Sequence, residues 1–138
     1  MKTPREVLLA WADASNSRDP HALVALYHDD AESHQVALGA PVKGRAALLE
    51  SFTSFFRAFP DNLTHPENVF EDGEWAIIEW SGSGTFTGPL GDIPPTGRSY
   101  TLRGCGFFRV IDGRIFFQRG YFDRHTWFTQ LGIPVGKP

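Results

Sequence analysis

The chain has 138 residues, 41% of them apolar, with 12 Phe and 4 Trp; this suits one folded domain and excludes a disordered chain or one that needs disulfides or a structural metal. Its 13 basic and 16 acidic residues, net charge -3, are scattered along the length and give no electrostatic footprint for nucleic acid or an anionic membrane surface. Cys105 is the single cysteine and no stretch approaches the roughly 18 apolar residues of a membrane span, so the expectation is a cytoplasmic protein, one domain over residues 1–138, with a small or neutral partner.

Thr3-Pro4-Arg5-Glu6 carries a helix start: a threonine cap, proline at the first helical position and a glutamate three residues after the cap. Val7, Leu8, Trp11 and Ala14 follow at helical spacing. Asp19-Pro20 opens a second helix whose apolar face is Leu23, Val24, Leu26 and Tyr27 and which should end near His28-Asp29-Asp30. The segment 31–38 is the first strand candidate, and Gly39, Pro41 and Gly44 mark a loop after it. From Arg45 to Phe59, Leu48, Leu49, Phe52, Phe55, Phe56 and Phe59 form a broad apolar stripe on a third helix that Pro60 stops. The period then becomes strand-like. Val69-Phe70 and Trp75–Ile78 flank Asp72-Gly73, while Phe107–Ile111 and Arg114–Phe117 flank Asp112-Gly113, two dipeptides favoured at type I′ turns. Residues 88–97 are a long Pro/Gly loop between these hairpins. Helices first and meandering strands afterwards describe an α+β domain with helices on one face of a curved antiparallel sheet.

His21, His28, His34, His65 and His125 show no HxxxH or HExxH spacing, and there is no second cysteine, so no metal is expected. Gly82-Ser83-Gly84 lacks both the Walker lysine and dinucleotide spacing, no Gly-x-Ser-x-Gly elbow exists, and no cofactor is expected. What remains is general acid/base chemistry in an apolar cavity, where burial raises a carboxylate's pKa. Asp123 and His34 are the catalytic candidates; their alternatives are a strand-end cap or ion pair with Arg124 or Arg119 for Asp123, and an edge-strand surface position for His34. Trp11, Tyr27, Gln35, Trp80, Phe108, Gln118 and Phe122 are the expected lining of a hydrophobic ligand or substrate pocket.

Residues 23–34 (LVALYHDDAESH), 43–61 (KGRAALLESFTSFFRAFPD), 84–100 (GTFTGPLGDIPPTGRSY) and 110–132 (VIDGRIFFQRGYFDRHTWFTQLG) resemble the SnoaL-like polyketide cyclases and their limonene-epoxide-hydrolase-like relatives in the nuclear transport factor 2-like superfamily. The turn Pro95–Arg98 and the closing pattern Asp123 to Gly132 are the most specific pieces. The resemblance implies a cone, in which a curved antiparallel sheet wraps three N-terminal helices around a deep pocket, and a homodimer formed through the outer sheet face. It implies cofactor-free cyclisation or isomerisation of a hydrophobic carbonyl compound, with a non-catalytic binding or interaction module and an epoxide or lactone hydrolase as alternatives. The epoxide-hydrolase Arg/Asp/Asp positions fall on Trp80, Gly82 and Gly120, and the ketosteroid-isomerase tyrosine and aspartate positions on Trp11 and Gln35, so both sets are lost. The cyclase acid/base position falls on Asp123, with His34 or Gln35 hydrogen-bonding the enolate. Trp80, Gly82 and Gly120 in place of charged groups should enlarge and dry the pocket. Asp123 shares a strand face with Arg119 and Tyr121, opposite Gly120, so a β-bulge near Gly120 is needed to turn it inward.

Overall fold

The computed structural model describes residues 1–135, and it opens with the expected helix, α1 (Pro4–Ser17). The Thr3 hydroxyl accepts the Glu6 N–H at 3.2 Å and the Glu6 carboxylate accepts the Thr3 N–H at 3.0 Å, satisfying donors that a first helical turn leaves free. The second helix, α2 (Pro20–Val24), is shorter than expected, and the first strand, β1 (Tyr27–Gln35), starts at Tyr27 and not at residue 31. The cause is tertiary: β1 lies parallel to the last strand, with Tyr27 opposite Ile115 and Gln35 opposite Gly120, and this pairing draws Tyr27 wholly into the core. Val36–Leu38 form a 3-10 turn in place of the strand's expected end. Next come β2 (Val42–Lys43) and α3 (Arg45–Ala58), with Pro60 close behind.

The hairpins are β3 (Leu63–Asp72) with β4 (Trp75–Thr85) and β5 (Ser99–Ile111) with β6 (Arg114–Phe122). Asp112 and Gly113, at φ 52° and 73°, make the expected type I′ turn. The first hairpin turns one residue later than expected. Asp72 stays in the strand opposite Trp75, and Gly73 (φ 59°) with Glu74 forms the turn, positive at its first position only as in type II′. The short α4 (Arg124–Leu131) closes the described fold.

The strands form one curved, unclosed sheet in the order β2-β1-β6-β5-β4-β3. Every pair is antiparallel except β1–β6, a correction to the wholly antiparallel expectation. Parallel neighbours need a long crossover, and nearly all of the chain between β1 and β6 supplies it. Side-chain alternation puts Ser33, Gln35, Ile78, Trp80, Phe108, Gln118 and Gly120 on the inner face, and His34, Phe107, Phe117, Arg119 and Tyr121 on the outer one. Two apolar clusters line the inner side. One gathers Leu8, Tyr27, Leu48, Ile78, Phe108 and Ile115; the other gathers Phe59, Phe86, Tyr100, Trp127 and Leu131. Phe55 and Trp80 touch both.

β5 outruns β6, so Ser99–Arg103 have β4 on one side and no strand on the other. Gln130 of α4 fills the gap: its amide accepts the Thr101 N–H at 2.7 Å and donates to the Thr101 carbonyl at 2.9 Å. A side-chain amide thus completes a strand edge, since its N–H and C=O match the pairing of a peptide group.

Candidate functional site

The inner face holds one extended polar chain. Trp11 on α1 donates its indole N–H to the Tyr27 hydroxyl at 3.1 Å, and Tyr27 donates in turn to the Gln118 side-chain oxygen on β6. Tyr27 is fully buried and Gln118 is 5% exposed. Burial pushes the Tyr27 hydroxyl well above the ordinary phenol range, and the Trp11 bond opposes that only in part. The phenol therefore stays protonated and keeps donating. With the Gln118 oxygen occupied by Tyr27, the amide's orientation is fixed and its two N–H donors remain for another acceptor. Around this chain stand Phe108, edge-on to Trp11 at 5.2 Å, and Phe52, 5.5 Å from Tyr27.

The structure places the other expected lining residues, Gln35, Trp80 and Phe122, on the same inner face, each half-buried. A Cβ built on Gly104 would collide with the Trp80 ring, and one on Gly120 would collide with the Gln35 amide. Gly82 meets Trp80 at 3.2 Å and Gly84 meets Tyr100 at 3.0 Å in the same way. Each of these glycine hollows holds a neighbour's larger side chain, which seats Trp80, Gln35 and Tyr100 close against the sheet backbone.

Asp123 and His34 lie elsewhere. Strand pairing runs without interruption from Gly104 opposite Phe122 to Arg109 opposite Phe117, and the irregularity comes only after Arg109. No bulge occurs at Gly120 to reverse the sides. Asp123 follows β6 as an exposed N-cap of α4, accepting the Thr126 hydroxyl at 2.8 Å and the Thr126 N–H at 3.2 Å. These two bonds, the hydroxyl's first, hold its carboxyl below the ordinary aspartate range, the opposite of the raised value a buried acid would have. His34 is half-buried on the outer face, opposite Arg119, with no hydrogen bond to Asp123. Of the 16 carboxylate residues in the chain, none is buried; Glu32 is half-buried and pairs with Lys43 at 3.4 Å, and the rest are exposed.

Among the described residues, two cavities border the strands β3 to β6. One, of about 500 Å³, lies between the end of α1 and strands β3 to β5, bordered by Asn16, Thr64, Gly82, Ser83, Leu102 and Arg103 among others; the other, of about 430 Å³, is bordered by Glu79, Arg103, Cys105, Tyr121 and Asp123. Neither reaches Tyr27 or Gln118. No group of three or more His, Cys, Asp or Glu among the described residues could hold a metal ion, and no helix there is long and apolar enough to cross a membrane.

The two most specific sequence signatures turn out to build the scaffold. Asp123 caps α4, Gln130 completes β5, Leu131 is fully buried, and Gly132 at φ 73° ends the helix by donating to the Thr129 carbonyl. Thr96, from the Pro95–Arg98 turn, ties this end down by donating to the Leu131 carbonyl at 2.6 Å. Sequence reasoning placed Phe52 and Phe55 on the apolar stripe of α3 but not beside Tyr27 and Trp80, and it did not single out Trp127. For Trp127 there was no signal, because only the fold of α4 against β5 and β6 brings it in.

This architecture has counterparts among known proteins. A model of the SnoaL-like polyketide cyclases matches residues 5–131, and the chain belongs to that family. Among solved structures it is similar to IdmH of Streptomyces antibioticus, a candidate polyketide cyclase, at 26% identity and TM-score 0.80, covering 96% of this chain and 100% of that one. It is similar in fold to a Catenulispora acidiphila protein of ketosteroid isomerase-like fold solved with trimethylamine (22%, TM-score 0.83, covering 99% and 100%). The same holds for an LEH-like epoxide hydrolase of M. tuberculosis (20%, TM-score 0.75, covering 93% and 88%).

Proposed function

We propose that the chain is a cofactor-independent enzyme of the cyclase or isomerase kind, acting on a hydrophobic carbonyl compound held against the inner face of the sheet. The observation that carries this reading is the buried chain from Trp11 through Tyr27 to Gln118, which ends in two unused N–H donors among aromatic rings. A substrate carbonyl accepting from the Gln118 amide loses electron density, its neighbouring C–H becomes more acidic, and the enolate oxygen that forms is held by the same donors. Tyr27 and Trp11 act by fixing the amide. With no buried carboxylate, water takes the proton, so catalysis is mainly electrophilic. Asp123, in this proposal, serves α4 and not the chemistry.

The test is solvent exchange into 2-tetralone, a ketone with acidic α-hydrogens, followed by NMR in deuterium oxide. The protein should accelerate deuterium uptake, and Gln118→Leu should remove on the order of 10²-fold of that acceleration, the usual cost of one oxyanion donor. A protein that binds 2-tetralone with no acceleration would instead be a binding module, the second reading, which the absence of any buried carboxylate favours. Self-association remains part of the proposal. The outer face carries Trp75, Phe107, Phe117 and Tyr121, with the Arg119 guanidinium 5.8 Å and 5.5 Å from the Phe107 and Phe117 rings, and both charge signs at Arg109 and Glu79. Phe117→Glu should convert a dimer to a monomer in sedimentation; an unchanged mass would remove that face from consideration.

A further inference from the structure

One buried polar group in the interior has no place in the scheme above. The indole N–H of Trp127 has no hydrogen-bond partner, on a side chain only 5% exposed. Its neighbours are the rings of Phe59, Tyr100, Phe122 and Phe128, at 5.5 to 5.9 Å. Three of these offer no oxygen, and the Tyr100 hydroxyl is committed to Asn62. Buried donors are nearly always paired, so an unpaired one calls for a physical reason.

A second observation links this donor to Gln118. Phe122, which packs edge-on against Trp127 at 5.5 Å, shares the inner face of β6 with Gln118 four residues earlier, a separation of about 13 Å along the strand. Between the ends lie Phe55 and Trp80, half-buried and in contact with both apolar clusters. We infer that the Trp127 indole N–H is the distal hydrogen-bond donor of the interior site, selecting an elongated ligand with an acceptor oxygen at each end. This rests on the interior carbonyl site proposed above. One carbonyl meets the Gln118 amide, the body of the ligand lies along Phe55, Trp80 and Phe122, and the second oxygen takes the Trp127 proton.

Two rigid probes separate these parts: 2-acetylfluorene, with one carbonyl, and 2,7-diacetylfluorene, with one at each end. The full chain should bind the diacetyl compound about five- to tenfold more tightly, the worth of one neutral hydrogen bond. Trp127→Phe, which keeps a ring and removes the donor, should abolish that preference and leave the affinity for 2-acetylfluorene unchanged. Gln118→Leu should weaken both compounds alike. In the unmodified protein the Trp127 indole proton resonance should move downfield with the diacetyl compound alone, a readout that survives if the variant folds poorly. If both compounds bind and the preference persists in Trp127→Phe, or the indole resonance responds to both equally, the distal donor is disproved while the interior site stands. If neither compound binds, or both bind equally well to Gln118→Leu, the interior site itself is wrong and the distal donor falls with it.

Discussion

Tyr27 and Tyr100 are both buried phenols that donate to a side-chain amide, one to Gln118 and the other to Asn62, yet the two amides are held differently. Asn62 is fastened by its own backbone: its N–H donates to the Phe59 carbonyl and its carbonyl accepts from Arg18, so it stitches the turn between α3 and β3 to the end of α1. Gln118 sits in mid-strand, and its amide is fixed only through Tyr27 and Trp11. The same hydrogen bond therefore does architecture at one end of the interior and leaves donors to spare at the other.

The sharpest way to break this comparison is the Gln118→Leu exchange experiment, with its expected loss on the order of 10²-fold, run beside Asn62→Ala. Removing the Asn62 side chain strands the buried Tyr100 hydroxyl and should cost about 2 kcal/mol, read from the urea midpoint, with exchange activity per folded molecule unchanged. An activity loss matching that of Gln118→Leu would erase the distinction.

Alkaline unfolding sharpens the comparison further. Burial raises both phenols above the ordinary range, with the charge of Asp61 as a lesser contributor at Tyr100. The folded state holds both protons while the unfolded state releases them near pH ~10, so stability is complete below that pH and falls above it. Each tyrosine should contribute about 1.4 kcal/mol per pH unit of loss. Tyr27→Phe and Tyr100→Phe should each remove one share of that slope, and a slope that neither variant changes would mean another group unfolds the protein.

The smallest effect should come from Asp123→Asn. Asparagine caps helices as well as aspartate does, so the exchange rate should stay within about twofold. A loss of several orders of magnitude would restore Asp123 as the acid/base. On the acid side, its lowered carboxyl pKa means that its cap contributes fully above the unfolded value and is lost as pH falls through the folded one.

Much of the fold was legible because its signals are local. The Thr3–Glu6 box, the Asp112-Gly113 turn and the Phe stripe of α3 each work within a few residues. The start of β1 was not legible, because Tyr27 belongs to a strand only through its parallel pairing with Ile115 across most of the chain. At the site, sequence named Trp11, Tyr27 and Gln118, and the fold joins these three in one hydrogen-bond chain. Their separation in sequence, 91 residues between Tyr27 and Gln118, hid that connection. Asp123 stood out by type, a lone carboxylate after an aromatic run, while its direction depended on β6 being regular at Gly120, which composition does not encode.

The amide of Gln130 has a bearing on the protein's life in a crowded cell. An open strand edge is a template on which another chain can add a strand, the first step toward aggregation. By occupying the free side of Thr101, a single glutamine denies that template to passing chains. Its loss would therefore be felt less in chemistry than in the quantity of protein that stays dispersed.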